Sequence, residues 1–391
     1  MKILIVLTYY RPHTSGLTIY AERLAKALVK RGHQVTVLTS RYDSKLPAEE
    51  IRDGVKIVRA PVLLRISKGV IMPTFTFIAT RLVLENDVVQ LHLPQFDAAW
   101  VAMIGRIYRK PTVITYHCDL LMPPGLLSWF ANQAVRVMNH LAAFFTHRMV
   151  TYTRDYAENS NFLRRYMKKL TCILPPVELP QVSPKAVEEF GQKHNTQKKH
   201  PVIGMAARFA TEKGVEILLD ALPDIIHVYP DAKVQFAGPW KDIVGEEHYI
   251  KRLIPKINQF EKNGHWEFVG NLTPQEMAMY YPNIDVLTIP SLNSTEAFGL
   301  VQIEAMINGA PSVASNLPGV RQPVIMHHLG RVVPIGDAKA LAEAIIGVLV
   351  EKDQYPWNIK EIIDQYDPNT VAGEYEKLFS QMRLDFNPGK D

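Results

Sequence analysis

The sequence predicts an α/β protein composed of two doubly wound domains, and three observations support this prediction. Short runs of β-branched and aliphatic residues alternate with segments whose apolar residues recur every three or four positions, which is typical of parallel βαβ units. The alternation breaks off after residue 174 and resumes near residue 202. A chain of 391 residues also exceeds the length at which a single hydrophobic core stops growing.

The first part of the chain begins with a strand, a helix and a second strand. Residues 2–8 form a continuous apolar run, typical of a strand that is buried on both faces. Within residues 17–31, Tyr20, Leu24 and Leu28 recur every four positions and predict the apolar face of a helix. Further strands are predicted at residues 35–39, 88–91, 112–116 and 149–151.

The second part of the chain repeats this order of elements. A strand is predicted at residues 202–208 and a helix at about residues 214–228. Further strands are predicted at residues 233–237, 266–269, 285–290 and 312–315. The last helix, at about residues 369–383, has no strand after it and is expected to return to the first domain.

The bounds of the two domains follow from these patterns. We expect residues 1–175, with the C-terminal segment of about 369–391, to form one Rossmann-like domain, and residues 176–368 to form the other. The two domains are expected to face a cleft, because ligands of such folds bind beyond the carboxyl ends of the strands.

Composition and cysteine usage indicate an ordinary globular protein. The chain is 47% apolar and 21% charged, and it holds only Cys118 and Cys172, so a disulfide framework is not expected. The first apolar run, residues 3–7, is too short for a signal peptide. No stretch reaches the roughly 18 apolar residues of a membrane span. We expect a cytoplasmic protein that is soluble or peripheral at the inner face of the cell membrane.

Charge is distributed unevenly along the chain. Residues 1–175 carry 24 Lys and Arg against 11 Asp and Glu, a net charge of +13, whereas residues 176–391 carry 20 against 28, a net of −8. The first domain is therefore expected to face an anionic partner. No nucleic-acid-binding motif is present, which favours an anionic membrane surface over nucleic acid. Two segments, 62–84 and 126–148, combine apolar side chains with Arg and Lys; each fits a membrane-surface element or a core helix with solvated cations.

Two basic residues lie where a parallel sheet can bind an anion. Arg208 and Lys213 are five positions apart, at and just beyond the end of the predicted strand 202–208. Their side chains can converge on one anion at the start of the following helix, whose backbone N–H groups also attract negative charge. A diphosphate fits this arrangement, and two solvated surface cations would give the same pattern.

Two glutamates flank a Phe-Gly step after the predicted strand 285–290. Glu296 precedes the step in a turn and Glu304 follows it within a helix, so both carboxylates can point toward a ligand at the strand ends. Carboxylates accept strong hydrogen bonds from sugar hydroxyls, and Gly299 lets the backbone approach a ligand closely. The alternative is two exposed glutamates favoured by the dipole at a helix start.

Three further residues follow predicted strands of the first domain. His117 comes directly after the strand 112–116 and fits an active-site or a structural histidine, whereas Asp119 fits a cap or turn residue better than an acceptor contact. Gly16, at the start of the first helix, could offer its N–H to a phosphate or simply begin the helix. No three-glycine dinucleotide motif is present, which argues against NAD or FAD, and no Asp-x-Asp pair, zinc pattern or nucleophile motif occurs.

These residues resemble the motifs of glycosyltransferase family 4, a group of retaining enzymes with the GT-B fold. The four motifs are a glycine-bearing first loop, an active-site histidine, an Arg-x4-Lys-Gly element and a Glu-x7-Glu motif. They occur here, in that order, at Ser15-Gly16, His117, Arg208 with Lys213-Gly214, and Glu296 with Glu304. The resemblance covers nearly the whole chain.

The resemblance implies a role for each of these residues. Arg208 and Lys213 would bind the diphosphate of a nucleotide sugar. Glu296 would hold hydroxyls of the donor sugar, Glu304 the nucleotide ribose, and His117 would contact the sugar near the reacting carbon. Backbone N–H groups would come from Gly16, Phe298, Gly299 and Leu300. It also implies that the first domain binds the acceptor and the second the donor, and that the reaction needs no metal and no cofactor besides the donor.

The chain departs from the family pattern in two places. Ser15 stands where the family often has a second glycine, and Val320-Arg321 follows Gly319 where the family often has an acidic residue. These positions bear on the geometry of the phosphate loop and on the choice of donor sugar rather than on the class of reaction.

We therefore expect a retaining, metal-independent hexosyltransferase of polysaccharide or glycolipid biosynthesis. It would move a hexose from a UDP- or GDP-linked sugar to a glycan acceptor, which the basic first domain indicates is lipid-linked. Two alternatives remain open. One is another GT-B enzyme that uses nucleotide sugars, such as an epimerase or a sugar phosphate synthase. The other is a non-catalytic, membrane-associated glycan-binding protein.

Overall fold

The computed structural model describes residues 1–66, 69–120 and 126–386. Contacts divide the chain into two units, which we call unit 1 (Met1–Val177 with Gln365–Asp391) and unit 2 (Glu178–Asp364). Each unit is built on a mainly parallel sheet with helices between the strands, which confirms the predicted fold class. That the two units face a cleft stays a prediction.

Before residue 177, the described part of unit 1 contains ten strands and five α-helices. The strands are β1 Lys2–Val6, β2 Gln34–Arg41, β3 Glu49–Arg52, β4 Val55–Pro61, β5 Leu64–Ile66, β6 Gly69–Ile71, β7 Val88–Leu93, β8 Thr112–Tyr116, β9 Arg148–Thr151 and β10 Leu170–Cys172. The helices are α1 Gly16–Lys30, α2 Phe75–Glu85, α3 Ala98–Ile107, α4 Leu126–Phe145 and α5 Arg154–Asn159.

The main sheet of unit 1 has the strand order β10-β9-β8-β7-β1-β2-β4-β3. All neighbours in it pair in parallel except β3, which is antiparallel to β4, while β5 and β6 form a separate hairpin. The chain thus winds outward from β1 toward β3 on one side, and from β7 toward β10 on the other. The junction of β1 and β7 is the switch point, where such sheets bind ligands beyond the carboxyl ends of the strands.

Unit 2 contains six strands and most of the remaining helices. The strands are β11 Val202–Ala206, β12 Lys233–Ala237, β13 Trp266–Gly270, β14 Val286–Ile289, β15 Ser312–Ser315 and β16 Gly330–Val333. The helices are α6 Pro184–His194, α7 Val215–Val228, α8 Glu247–Lys262, α9 Pro274–Tyr280, α10 Leu300–Met306, α11 Gln322–His327, α12 Ala338–Glu351 and α13 Ile359–Tyr366. The last of these ends in unit 1.

The sheet of unit 2 is wholly parallel and has the order β13-β12-β11-β14-β15-β16. This is the doubly wound order of dinucleotide-binding folds, with its switch point between β11 and β14. Helices α7 and α12 pack against each other and bury an apolar core that includes Leu218, Phe236 and Ile345. The predicted strand 202–208 is two residues too long, because β11 ends at Ala206.

The C-terminal helix, α14 Pro368–Phe386, belongs to unit 1 and packs on α1. Its buried face includes Tyr375, Phe379 and Met382. The Tyr375 hydroxyl lies 2.7 Å from the Tyr20 hydroxyl and 2.9 Å from Oγ1 of Thr115, so it ties the helix to α1 and β8. Among the residues described, no helix combines the length and the apolarity needed to cross a membrane.

Candidate active site

Two loops meet at the switch point of unit 2, where β11 and β14 lie side by side. The loop after β11 ends in a short 3-10 turn, Thr211–Lys213, and Gly214 then adopts φ 66° before α7 begins. A Cβ atom at Gly214 would lie 2.1 Å from the carbonyl oxygen of Pro290, just after β14. Glycine is therefore required for both its backbone angle and its size, and this close approach brings the two loops together.

The predicted residues Lys213 and Glu296 form an ion pair across these loops. The Nζ atom of Lys213 lies 2.5 Å from Oε2 of Glu296, and both side chains are about four-fifths buried. Burial opposes the charged form of Lys213, but the attraction of Glu296 and the hydrogen bond to it outweigh this and raise the pKa of Lys213. The lysine is thus held as a cation at the carboxyl edge of the sheet.

Arg208 lies in the same loop and is paired with a residue that the sequence analysis did not single out. Its guanidinium donates to the Glu212 carboxylate, and about a third of its side chain is exposed. Arg208 and Glu212 both act electrostatically on Lys213. Two cations and two carboxylates therefore balance one another at this edge.

Glu304 and the Phe-Gly step lie where α10 begins. Gly299 has φ 78° and precedes the first residue of the helix, Leu300, while Phe298 is buried beneath it. The carboxylate of Glu304 accepts a 2.8 Å hydrogen bond from the hydroxyl of Tyr281 and is largely buried. The structure thus places Glu304 inside the helix, as predicted, and shows a partner for it that the sequence did not indicate.

A small cavity lies against the Lys213–Glu296 pair. Its volume is about 20 Å³, enough for a water molecule. Thr288 and Ser291 also line it, and both are fully buried with hydroxyls that lack a hydrogen-bond partner in the part of the chain that the structure describes. Sequence reasoning missed these two hydroxyls. Their signal is one polar residue, Thr288, within the apolar strand β14 and a second, Ser291, shortly after it.

His117 lies in unit 1 at the carboxyl end of β8, as predicted, and both of its ring nitrogens are engaged. Its Nε2 lies 2.7 Å from Nδ1 of His92, and its Nδ1 is hydrogen-bonded to the hydroxyl of Tyr152. Burial lowers the pKa of His92 to about 3, and burial followed by the charge of His92 lowers that of His117 well below its ordinary value. Both imidazoles are therefore neutral near pH 7.

The sequence analysis missed His92, although the polar residues Gln90 and His92 within the fully buried strand β7 were a signal for it. Asp119 accepts 2.8 Å hydrogen bonds from the hydroxyls of Tyr116 and Ser160, which fits the predicted structural role. Because His117 has no free ring nitrogen in this network, it is suited to holding a fixed position rather than to taking a proton.

Gly16 is the first residue of α1 and is exposed. Ser15, which replaces a glycine of the family pattern, caps this helix: its hydroxyl accepts from the backbone N–H of Thr18, whose hydroxyl accepts in turn from the N–H of Ser15. The substitution therefore supports the local structure. Gly16 and His117 lie in unit 1 and the other predicted residues in unit 2, so their convergence on one ligand stays a prediction.

Comparison with known proteins assigns both units to one family. Residues 15–173 match the family described as "Glycosyl transferase 4-like domain", and residues 186–364 match "Glycosyl transferases group 1". The chain belongs to glycosyltransferase family 4. This confirms the resemblance drawn from the motifs, and it establishes the protein as a glycosyltransferase of the group 1 type.

Relatives of this family 4 chain extend over almost its full length. It is 24% identical over 392 residues to the phosphatidyl-myo-inositol mannosyltransferase of Mycobacterium leprae, a match that covers 97% of this chain and 96% of the relative. It is also 24% identical to the 2-deoxystreptamine N-acetyl-D-glucosaminyltransferase of Streptomyces fradiae, over 92% of this chain and 90% of the relative.

Solved structures show the same GT-B fold. The Anabaena protein HepE in complex with UDP superposes with a TM-score of 0.75 at 19% identity, over 97% of this chain and all of that one. WaaG, a glycosyltransferase involved in lipopolysaccharide biosynthesis, superposes with a TM-score of 0.67 at 16% identity, over 97% of this chain and 99% of WaaG.

Proposed function

We propose that this family 4 protein transfers a hexose, with retention and without a metal, from a UDP- or GDP-linked sugar to a lipid-linked glycan acceptor. The observation that carries the proposal is the Lys213–Glu296 pair at the switch point of unit 2. This pair supplies a cation that can bind a diphosphate and, in direct contact with it, a carboxylate that can bind sugar hydroxyls. The bound UDP of HepE and the lipid acceptor in the name of the mycobacterial relative support the two substrate classes.

The residues Arg208, Glu212, Lys213 and Glu296 form what we call the charged cluster. In this proposal, the side chains of the cluster exchange their partners when the donor binds. The diphosphate accepts hydrogen bonds from Arg208 and Lys213, and Glu296 turns from Lys213 to hydroxyls of the sugar. Glu304 holds the ribose, and the backbone N–H groups at Gly16, Phe298, Gly299 and Leu300 complete the donor contacts. The two cations then stabilise the charge that develops on the leaving diphosphate, which is the task that a metal performs in other transferases.

His117 acts in this mechanism by position. A neutral, buried imidazole with both nitrogens occupied presents a fixed edge next to the reacting carbon of the sugar. The acceptor hydroxyl approaches on the face from which the diphosphate departs, and a leaving phosphate oxygen takes its proton. No side chain of the protein needs to act as a base.

A donor screen tests this function. We expect one nucleotide class among UDP, GDP and ADP sugars to raise the melting temperature, because a ligand that binds only the folded state stabilises it. A labelled donor should then give a glycosylated product in EDTA, with the donor's anomeric configuration by NMR. If no nucleotide shifts the melting temperature, the proposal fails; an epimerised nucleotide sugar or a sugar phosphate as the product would favour another GT-B reaction.

A surface of unit 1 supports the lipid-linked acceptor. Helix α3 packs between α2 and α4, and each of the three helices exposes large apolar side chains next to an exposed arginine. These residues, which we call the helical surface, are Phe77, Arg81, Leu84, Trp100, Arg106, Ile107, Arg136, Val137, Leu141 and Phe144. In the segments 62–84 and 126–148, residues 67–68, which include Lys68, lie outside the described residues, as do the side chains of residues 66 and 126–130, which include Trp129 and Phe130. Apolar and cationic side chains side by side fit an anionic bilayer surface.

Liposome flotation tests the membrane contact. Wild-type protein should float with vesicles that contain anionic lipid at low salt, and Phe77→Ser with Phe144→Ser should lower the bound fraction about tenfold, since two aromatic rings leave the interface. These rings are 78% and 70% exposed. A matched control is Val244→Ser with Val350→Ser in unit 2, where both valines are exposed to a similar degree. No binding of the wild type, or an equal loss in both double variants, would contradict this surface.

A further inference from the structure

The switch point of unit 1 holds a buried polar side chain that the reaction described above does not use. Gln95 follows β7, one of the two strands that meet at this switch point. The loop that follows the other strand, β1, leads to Gly16. The backbone N–H of His117 donates to the carbonyl of Leu93 at 3.0 Å, so Gln95 and His117 leave neighbouring strand ends.

The carboxamide of Gln95 has no hydrogen-bond partner in the described part of the chain. Only 3% of Gln95 is exposed, and neither its Oε1 nor its Nε2 atom has a partner among the residues that the structure describes. Buried amides in folded proteins are almost always paired, because leaving water without a partner costs free energy. A buried carboxamide with both polar atoms unpaired, at the edge where doubly wound sheets bind ligands, indicates that its partner is a ligand.

The chemistry of the amide selects the class of that ligand. A carboxamide offers N–H donors and a carbonyl acceptor side by side. A carboxylate or a phosphate only accepts hydrogen bonds. It would therefore leave Oε1 of Gln95 unpaired, and its negative charge would be repelled by the negative partial charge of that oxygen. Two adjacent hydroxyls of a cyclic polyol donate and accept, and satisfy both ends of the amide.

We propose that Gln95 binds adjacent hydroxyls of a cyclic polyol, the sugar or inositol ring of the acceptor, beside His117. The inference rests on the proposed function and adds a specificity-determining residue to it. Gln95 selects an uncharged, hydroxylated face of the acceptor ring, while the charged cluster of unit 2 serves the donor.

A comparison of two buried glutamines tests this role. Gln302 is also fully buried, but its amide donates to the carbonyls of Phe298 and Val320 at 2.9 and 2.8 Å and accepts from Ser312 at 3.0 Å. Methionine keeps the volume of glutamine and removes its polar atoms. Gln302→Met should lower the melting temperature, because three protein groups lose their partners. Gln95→Met should leave it unchanged or raise it, because no group within residues 1–66, 69–120 and 126–386 loses a partner.

Transfer kinetics, with the donor found in the screen and an acceptor that the wild-type protein glycosylates, then decide the role. Gln95→Met should raise the KM for the acceptor roughly 10- to 100-fold, the equivalent of two lost hydrogen bonds, while the KM for the donor does not rise with it. A fall in melting temperature like that of Gln302→Met would overturn the proposal, since it would show that the amide is already paired. An unchanged acceptor KM would overturn it as well.

A binding measurement separates this inference from the proposed function. If the wild-type protein transfers no sugar, the proposed function fails, and myo-inositol alone then serves as the probe in thermal shift. Stabilisation of the wild type that is lost in Gln95→Met would support the polyol site. Equal stabilisation of both proteins, or of neither, would overturn it.

Discussion

Replacing Lys213 with methionine is expected to lower kcat/KM for the donor about a thousandfold, the loss that follows removal of one strong electrostatic contact to a developing charge. The change has two effects on the charged cluster. The diphosphate loses a cation, and the carboxylate of Glu296, about four-fifths buried, loses the ion pair that holds it at 2.5 Å. A transferase assay with labelled donor measures the effect.

Unit 2 offers a matched control for this substitution. Lys233 begins β12, at the opposite edge of the same sheet, and its Nζ atom lies 2.6 Å from Oε2 of Glu267. The side chains of Lys233 and Glu267 are 12% and 25% exposed, close to the 19% and 22% of Lys213 and Glu296. Lys233→Met should cost similar stability and retain the activity. If both variants lose activity to the same extent, the loss follows from stability and the Lys213 site is not the donor site.

Replacing Tyr375 with alanine is expected to destabilise unit 1 by about 4 kcal/mol, the usual cost of removing a fully buried aromatic side chain. The ring is completely buried on α14, and its hydroxyl is hydrogen-bonded to Tyr20 and Thr115. Loss of the ring opens a cavity between α14 and α1. The buried hydroxyls of Tyr20 and Thr115 each lose one hydrogen-bond partner. Chemical denaturation measures the total change, and hydrogen exchange of the α1 and β8 amides locates it in unit 1.

Leu384 on the same helix provides the control for Tyr375. Its side chain is 54% exposed, so Leu384→Ala should change the free energy of unfolding by less than about 0.5 kcal/mol. Faster exchange in unit 2 as well as unit 1 after Tyr375→Ala, or no change in either, would contradict the assignment of α14 to unit 1.

The parallel strands and the charged motifs could be predicted because each leaves a local signal in the sequence. Predicted strands such as 112–116 and 233–237 have the bounds of β8 and β12, since buried parallel strands read as continuous apolar runs. The edge strand β3 reads Glu-Glu-Ile-Arg, in which three of the four residues are charged, so no apolar run marks it. The end of β11 was placed too late because Ala207 extends the apolar run by one residue, whereas the ladder with β12 ends at Ala206.

The partners of the site residues could not be predicted, because each contact depends on how the chain folds rather than on spacing in the sequence. Glu212 is close to Arg208 in sequence, but only the turn before Gly214 brings the two side chains together. The contact of His92 with His117 requires the pairing of β7 with β8. That Gln95 is buried without a partner among the residues the structure describes depends on every neighbour that surrounds it, and no spacing in the sequence reports this.

The position of α14 has a consequence for the order in which the protein becomes complete on the ribosome. Unit 2 is a continuous segment, Glu178–Asp364, whereas unit 1 needs residues from both sides of it. Synthesis proceeds from the N-terminus, and domains generally fold as they emerge. The face of α1 that α14 covers, which includes Tyr20, therefore stays uncovered until α14 leaves the exit tunnel. Nascent chains stalled just before residue 368 should accordingly bind chaperones that recognise apolar surface.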